Sequence, residues 1–114
     1  MPYFRIETSQ AITDSETETL LKSASAFLSG LLGKPERVII VSVVHGVAMC
    51  LNADLAPAAY VNVKSIGLAP EKCPAFSKAV CEFLEQAIGI SADRIYIDFA
   101  DIDGKMFGWN KKTF

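Results

Sequence analysis

The sequence predicts an α+β fold in which two helices cover one face of a four-stranded mixed sheet. The order strand, helix, strand occurs twice, and the junctions between helix and strand match in the two halves, residues 33–39 against 89–95. Each repeat is expected to form a right-handed βαβ unit with parallel strands. Because the chain has only 114 residues, we interpret residues 1–114 as a single domain with one core.

The first half begins with an alternating segment, residues 2–8, in which Phe4 and Ile6 face one way. This alternation is typical of a half-buried strand. Thr13 and Glu16 have the spacing of a capping box, and apolar residues follow at helical spacing until Gly33, which ends the predicted helix. Residues 38–44 are almost continuously apolar and β-branched, which predicts a strand buried on both faces.

The second half repeats this plan. Residues 59–66 predict the third strand, Pro70 and Pro74 precede a second amphipathic helix that ends at Gly89, and residues 94–99 predict the fourth strand. Helices on one side leave the other face of the sheet uncovered. Because the second strand is apolar on both faces, we expect several copies of the sheet to close around an axis and bury that face.

Composition narrows the range of partners. Hydrophobic residues make up 51% of the chain and mean hydropathy is +0.29, yet no apolar run approaches the length of a membrane span. The apolar surface therefore indicates a subunit interface rather than a membrane partner. A net charge of −2 and a pI of about 5.3 do not support binding to nucleic acid. No secretory signal is visible at the start, so we expect a cytoplasmic location.

The cysteines and the single histidine do not have the spacing of a metal site. Cys50, Cys73 and Cys81 lie in or beside apolar segments and form no C-x-x-C pair, which favours a reduced cytosolic protein. His45 has no cysteine or histidine at ligand spacing and is interpreted as a residue at a strand end. We therefore expect neither a metal nor another cofactor.

Pro2 is the candidate catalytic residue. An initiator methionine followed by a small residue is normally removed, and the ring nitrogen of Pro2 would then be a basic secondary amine instead of an amide. The pKa of an α-amino group is ~8 in model peptides, and apolar or cationic surroundings lower it. Such a base suits proton abstraction beside a carbonyl group. The alternative is that Pro2 only makes the N-terminus easy to trim.

Short segments spread over the whole chain carry a resemblance to a known family. They are Met-Pro at 1–2, Gly-Lys-Pro at 33–35, Ser-Ile-Gly at 65–67, Ser-Ala-Asp-Arg-Ile-Tyr-Ile at 91–97, Gly-Trp-Asn at 108–110 and Thr-Phe at 113–114. In this order and spacing they resemble macrophage migration inhibitory factor and D-dopachrome tautomerase. The resemblance implies a homotrimer with sites between adjacent subunits, and keto–enol tautomerase activity on phenylpyruvate-like and dopachrome-like compounds.

The resemblance also implies roles for individual residues. Pro2 would be the catalytic base, Lys34 would hold the substrate carboxylate, and the backbone of Ile66 would contact the substrate. Tyr96 would reach the site from the neighbouring subunit. The walls of a ring-binding pocket would come from the aromatic residues of the tail, Phe107, Trp109 and Phe114. Without the family, Lys34 would be an ordinary lysine at a helix C-terminus and the aromatic residues would be packing residues.

Three departures from the family pattern matter. Asp98 stands where relatives carry an asparagine beside the substrate, and Val38 stands where they carry a pocket tyrosine. A carboxylate near an anionic substrate should weaken its binding, so we expect an altered tautomerase activity. The family's C-x-x-C pair is absent, since Ala58 and Val61 occupy its positions, and thiol–disulfide activity is not expected.

Two further functions remain open at the level of sequence. The chain could act as a cytokine-like signalling protein on a receptor, with the proline site incidental. It could also be a regulatory module that binds a small molecule without catalysis. A binding surface leaves no motif, so the sequence ranks tautomerase activity first without separating the three functions.

Overall fold

The computed structural model describes all residues, 1–114. Its main elements follow the order β1, α1, β2, β3, α2, β4, with a small hairpin, β5 and β6, in the tail. Their bounds are Tyr3–Thr8, Asp14–Leu32, Ile40–Val44, Ala59–Ile66, Cys73–Ile88, Ile95–Ile102, Gly108–Trp109 and Lys112–Thr113. Single 3₁₀ turns lie at Glu36–Val38, Pro70–Lys72, Ala92–Arg94 and Gly104–Met106.

The four main strands form one mixed sheet in the order β2-β1-β3-β4. β1 runs parallel to β2, β3 runs parallel to β4, and the two central strands β1 and β3 are antiparallel. The two βαβ units therefore lie side by side, related by the antiparallel pair at the centre. This arrangement confirms the predicted α+β fold class.

The core lies between the helices and one face of the sheet. β1 and β3 bury every second residue, and both helices place their apolar stripe on that face. The side chains that are fully shielded from solvent at the centre are Phe4, Ile6, Ala24, Leu28, Val61, Val63, Val80 and Leu84. Both helices thus pack on the same side, and the opposite face of the sheet is left open within one chain.

The predicted ends of α1 are confirmed. The Glu16 N–H donates to Thr13 Oγ1 at 3.1 Å and the Thr13 N–H donates to Glu16 Oε1 at 3.0 Å, which is the reciprocal capping box. At the other end Gly33 has φ of +67°, and its N–H donates to the Ser29 carbonyl at 3.0 Å. Glycine adopts this left-handed conformation without steric cost, so the chain can leave the helix there.

The prediction for the second strand was wrong in two respects. Val38 lies in the 3₁₀ turn that follows Pro35, and β2 begins at Ile40. No residue of β2 is fully buried in the single chain, and Ile40, which lies on the open face of the sheet, is 66% exposed. An apolar run cannot by itself distinguish burial within a chain from burial against another chain.

Other boundaries differ for local reasons. α2 begins at Cys73, so Pro74 lies inside its first turn, where the missing N–H of proline has no helical partner to lose. β4 continues to Ile102, three residues beyond the predicted end. The tail hairpin was not predicted, since two-residue strands are too short to give a periodic pattern. No helix is both long and apolar enough to cross a membrane.

Candidate functional site

The N-terminus lies at the edge of a cavity of about 430 Å³ beside the first residues of β1 and β2 and the last residues of β3 and β4. Pro2 is fully buried, and its carbonyl accepts a hydrogen bond from the Ile40 N–H at 3.2 Å. That bond fixes the start of β1 against β2. The cavity is lined mainly by apolar side chains, with two cations, and its lining residues include Met1, Pro2, Tyr3, Arg37, Val38, Ile39, Ile40, Lys64, Ile102, Phe107 and Trp109.

The terminal amine of this chain has a lowered pKa. Partial burial disfavours its charged form, and the positive charge of Lys34 disfavours it further. In the chain as described this amine belongs to Met1, and removal of Met1 would transfer the terminal position to the Pro2 nitrogen in the same part of the cavity. The surroundings therefore favour a neutral, basic amine at this point.

Lys34 is positioned by the end of α1. Gly33 turns the chain away from the helix, and the Ser29 hydroxyl then donates to the Lys34 carbonyl at 2.6 Å. The Lys34 ammonium crosses to β3 and donates to the carbonyl of Ile66 at 3.5 Å. Two of the predicted substrate-binding residues, Lys34 and Ile66, are thus brought together by a direct contact. Lys34 has no acidic partner among the ion pairs of the chain.

The aromatic tail forms one side of the cavity. Phe107 and Trp109 line it directly. Phe114 packs behind them, stacked on Trp109 with ring centroids 6.1 Å apart and tilted against Phe107 at 6.0 Å. The last residue is anchored because its N–H donates to the Gly104 carbonyl at 3.0 Å. A side chain at position 104 would crowd the Phe114 carbonyl at 3.3 Å, so glycine permits this close approach.

Of the remaining predicted site residues, Val38 lines the cavity, whereas Ile66 does not line it. Val38 lines the cavity from the 3₁₀ turn after α1. The Ile66 carbonyl accepts the hydrogen bond from Lys34. The residue paired with Ile66 on β4, Ile102, is the one that lines the cavity. The valine leaves room that a larger side chain would fill.

Tyr96 and Asp98 are not brought to Pro2 within one chain. Tyr3, which follows Pro2, pairs with Lys64 on β3, and Lys64 pairs with Ala100 on β4. Tyr96 lies four residues before Ala100 on β4, and β4 is two strands away from β1. These steps correspond to roughly 16 Å between backbones, beyond the reach of a tyrosine side chain. Tyr96 is 59% exposed on the open face of the sheet. A site that includes it needs a second subunit.

The carboxylate of Asp98 has hydrogen-bond donors on the neighbouring strand. The Tyr60 hydroxyl and the Asn62 side-chain amide both donate to Asp98 Oδ2, each at 3.4 Å. These long bonds orient the carboxylate across the open face, toward β3. No cation is paired with it.

A second cavity of about 400 Å³ lies beside the start of β3. It is lined by Glu7, Met49, Cys50, Leu51, Ala58, Ala59, Tyr60, Arg94 and Tyr96. Its cation is fully engaged: Arg94 donates to the carbonyls of Leu51, Asp54, Ala56 and Pro57 at 2.9–3.4 Å and lies 3.9 Å from the Asp54 carboxylate. Arg94 therefore holds the loop before β3 in place, and its hydrogen-bond donors are already occupied by that loop.

Sequence reasoning missed Arg37, Lys64 and Ile102 as cavity residues. Lys64 shares the outward face of the sheet with Tyr3, its register partner, so strand alternation could have placed it beside the N-terminus. Arg37 follows the Gly-Lys-Pro segment by two residues, but its direction depends on a 3₁₀ turn that leaves no periodic signal. Ile102 lies beyond the predicted end of the fourth strand.

Comparisons with known proteins agree with this architecture. The family model described as "Macrophage migration inhibitory factor (MIF)" matches residues 1–114. Macrophage migration inhibitory factor from Xenopus tropicalis is 31% identical over all of this chain and 99% of its own, and the protein of that name from Meriones unguiculatus is 34% identical with the same coverage. The crystal structure of a macrophage migration inhibitory factor homologue from Prochlorococcus marinus is 40% identical, with a TM-score of 0.91 over 98% of both chains. The chain therefore belongs to the macrophage migration inhibitory factor family.

Proposed function

We propose that this protein is a keto–enol tautomerase, an isomerase that acts on phenylpyruvate-like α-keto acids. The catalytic base is the secondary amine of Pro2, which becomes the N-terminus when Met1 is removed. The proposal requires no cofactor. It rests above all on one observation: the chain terminus lies at an apolar cavity where burial and Lys34 lower the pKa of the terminal amine.

The reaction needs a base that is neutral at working pH. The pKa of the Met1 amine is lowered because its ammonium form loses hydration and is repelled by the Lys34 ammonium. We expect the same surroundings to act on the Pro2 amine after Met1 is removed. No acidic side chain lines the cavity to reverse this effect. A carboxylic acid substrate would be attracted by the same positive charge.

The proton moves from carbon to oxygen in two steps. The Pro2 nitrogen takes a proton from the carbon next to the keto group, and the electron pair of that C–H bond forms the enolate, whose negative charge lies on oxygen. The resulting Pro2 ammonium then gives the proton to that oxygen, which yields the enol and restores the neutral amine. Lys34 holds the carboxylate during both steps, so the acidic C–H bond stays next to the amine.

The complete site is expected to lie between two subunits of a homotrimer. Tyr96 and Asp98 are too far from Pro2 in the same chain, and both are exposed on the open face of the sheet together with Ile40, Val44 and Tyr60. Closure of three sheets around an axis would cover this face and could bring Tyr96 and Asp98 to a neighbour's Pro2. Phe107, Trp109 and Phe114 would then wall the pocket from the subunit that supplies the proline.

The two departures from the family pattern should change substrate preference rather than remove activity. Asp98 adds a negative charge, but its carboxylate is already turned toward Tyr60 and Asn62. Val38 removes an aromatic edge from the cavity wall and leaves more room there. The change at Val38 favours a substrate that is bulkier, or less dependent on stacking, than phenylpyruvate itself.

The test combines intact-mass spectrometry with phenylpyruvate tautomerisation by the purified protein. The proposal expects a mass without the initiator methionine and an activity that collapses in Pro2→Gly. A second variant, with one alanine inserted between Met1 and Pro2, turns the Pro2 nitrogen into an amide and should be equally inactive. Activity that survives in both processed variants would overturn the amine-base mechanism.

A different result would favour a function other than catalysis. Binding of phenylpyruvate without turnover, in a wild type whose N-terminus is processed, would favour a ligand-binding or signalling role for this cavity. Direct binding is therefore measured on the same sample as the turnover.

A further inference from the structure

The candidate site holds more positive charge than one carboxylate requires. Arg37 and Lys64 both line the cavity, and Lys34 lies close enough to the terminal amine for its charge to act on that amine. None of the three takes part in the ion pairs of the chain, which join Lys22 to Glu18, Lys78 to Glu82 and Arg94 to Asp54. Within one chain no aspartate or glutamate lines the cavity, and the Asp98 carboxylate that a neighbouring subunit would supply accepts hydrogen bonds from Tyr60 and Asn62.

This concentration of cations stands out against the rest of the molecule. The chain as a whole carries a net charge of −2. In the second cavity the only cation, Arg94, is bound to four backbone carbonyls, and the Glu7 carboxylate is also part of the lining. Unpaired like charges around one cavity repel each other, and an anion bound among them relieves that repulsion.

The three cations come from two different elements. Lys34 and Arg37 follow α1, with Pro35 and Glu36 between them, while Lys64 lies on β3 opposite Tyr3. Lys34 is the cation assigned to the substrate's keto-acid carboxylate in the proposed function. Arg37 and Lys64 are then left to meet a second anionic group, and the planar guanidinium of Arg37 suits the two oxygens of a carboxylate.

We propose that the site takes a dianionic substrate: an α-keto acid whose side chain carries a second carboxylate, bound by Arg37 and Lys64. This inference rests on the proposed function for the position of the first carboxylate. It adds the substrate class. Phenylpyruvate, which has one carboxylate, would accordingly be a poorer ligand than a ring-carboxylated relative.

The test measures binding, so that it does not depend on turnover. The probes are trans-cinnamate and its 3-carboxy and 4-carboxy derivatives, flat aromatic acids that differ by one carboxylate. Their affinities are measured by calorimetry on the purified full-length protein at low and at high salt. At low salt we expect the better of the two diacids to bind about tenfold more tightly than cinnamate, with the advantage shrinking as salt is added.

Variants then test whether Arg37 and Lys64 bind the second carboxylate. The double variant Arg37→Gln with Lys64→Gln should bring the diacid preference down to about twofold or less, and each single variant should give part of that loss. Lys72→Gln, an exposed lysine at the N-terminal end of α2, is the matched control and should keep the full preference. Circular dichroism of each variant confirms that the fold is intact.

Each outcome bears on one claim. Equal binding of monoacid and diacid by the wild type overturns the inference, as does a preference that persists in the folded double variant. Failure of the proposed function is recognised separately: a wild type that prefers the diacid but does not tautomerise phenylpyruvate, or a carboxylated derivative of it, retains the dianion site and loses the enzymatic assignment.

Discussion

Each half of the chain has a cavity beside the start of its first strand and the 3₁₀ turn that follows its helix. Both helices end at a left-handed glycine, Gly33 with φ of +67° and Gly89 with φ of +70°, and a 3₁₀ turn then leads into the next strand. Pro2 and Ala58 directly precede β1 and β3, and both are buried. The backbone plan of the two cavities is therefore the same.

The residues at matching positions differ in ways that decide the chemistry. After the helix-ending glycine, the first half has Lys34, which reaches the Ile66 carbonyl, and the second half has Ile90, a core residue that is 1% exposed. The Ala58 nitrogen is an amide that donates to the Ser9 hydroxyl at 3.1 Å, whereas the Pro2 nitrogen can become a terminal amine. The same fold thus places the chain terminus at one cavity and, at the other, a loop that Arg94 holds in place.

The largest effect is expected at Pro2. Pro2→Gly should lower kcat/KM for phenylpyruvate tautomerisation about 100-fold or more, because a positioned general base contributes rates of that order. Ala58→Gly, the matched change in the second half, should leave activity within about twofold. Its cost in stability should be at most roughly 0.5–1 kcal/mol, because glycine loses more conformational freedom on folding than alanine. Equal losses of activity in the two variants would remove the functional difference between the halves.

The cores of the two halves should respond equally. Leu28 and Leu84 each lie five residues before the helix-ending glycine, and both are completely buried. Leu28→Ala and Leu84→Ala should each reduce the free energy of unfolding by about 2–5 kcal/mol, through lost burial and the cavity left behind. Denaturant unfolding at one fixed protein concentration measures both. A loss below about 1 kcal/mol in only one of them would show that the halves are not packed alike.

Lys34→Gln tests the residue that has no counterpart in the second half. Loss of its charge should raise KM for phenylpyruvate about tenfold, since a charge-assisted contact to the carboxylate is removed. It should also raise the pKa of the terminal amine, because the repulsion that lowers this pKa is gone. The base works only when neutral, so the acid limb of the kcat/KM profile should move to higher pH.

The pH–rate profiles of wild type and Lys34→Gln provide the check, with Lys72→Gln as the control whose profile stays in place. A limb that moves to lower pH, or a KM that does not change, would show that Lys34 only completes the end of α1.

The smallest effect concerns the helix starts, which differ between the halves. α1 has the capping box of Thr13, while α2 follows a 3₁₀ turn and has Lys72 at its N-cap position without a side-chain hydrogen bond. Thr13→Ala should therefore cost about 1 kcal/mol of stability, and Lys72→Ala close to nothing. Thermal unfolding of the two variants checks this, and equal shifts in Tm would count against the cap.

Much of the fold could be predicted from local patterns. Alternation in residues 2–8 and 59–66, the capping box at Thr13 and the glycines at 33 and 89 are signals that lie within a few residues of the feature they specify. The repeat of strand, helix, strand then leaves few topologies open. The burial of β2 was predicted wrongly because two of its apolar residues, Ile40 and Val44, lie on the face of the sheet that is open in the single chain.

The site was harder to predict from the sequence than the fold, because its residues come from segments that are far apart along the chain. Pro2 was proposed from the chemistry of a Met-Pro start, and Lys34 was recognised through the family resemblance. The structure places Lys34 close enough to the terminal amine to lower its pKa. Arg37 and Lys64 were missed, since their convergence depends on a turn and on the register between β1 and β3. Tyr96 was assigned to a neighbouring subunit by resemblance alone, and a single chain leaves both Tyr96 and Asp98 far from Pro2.

The most direct test of the central claim is a pH titration of the proline nitrogens by NMR, on protein labelled with ¹⁵N-proline. The chain has five prolines, and only one at the N-terminus has a nitrogen that can titrate. We predict one titrating signal, with a pKa below that of an ordinary α-amine and equal to the pKa of the acid limb of kcat/KM. No titrating proline in an active protein, or a pKa well above that limb, would contradict it.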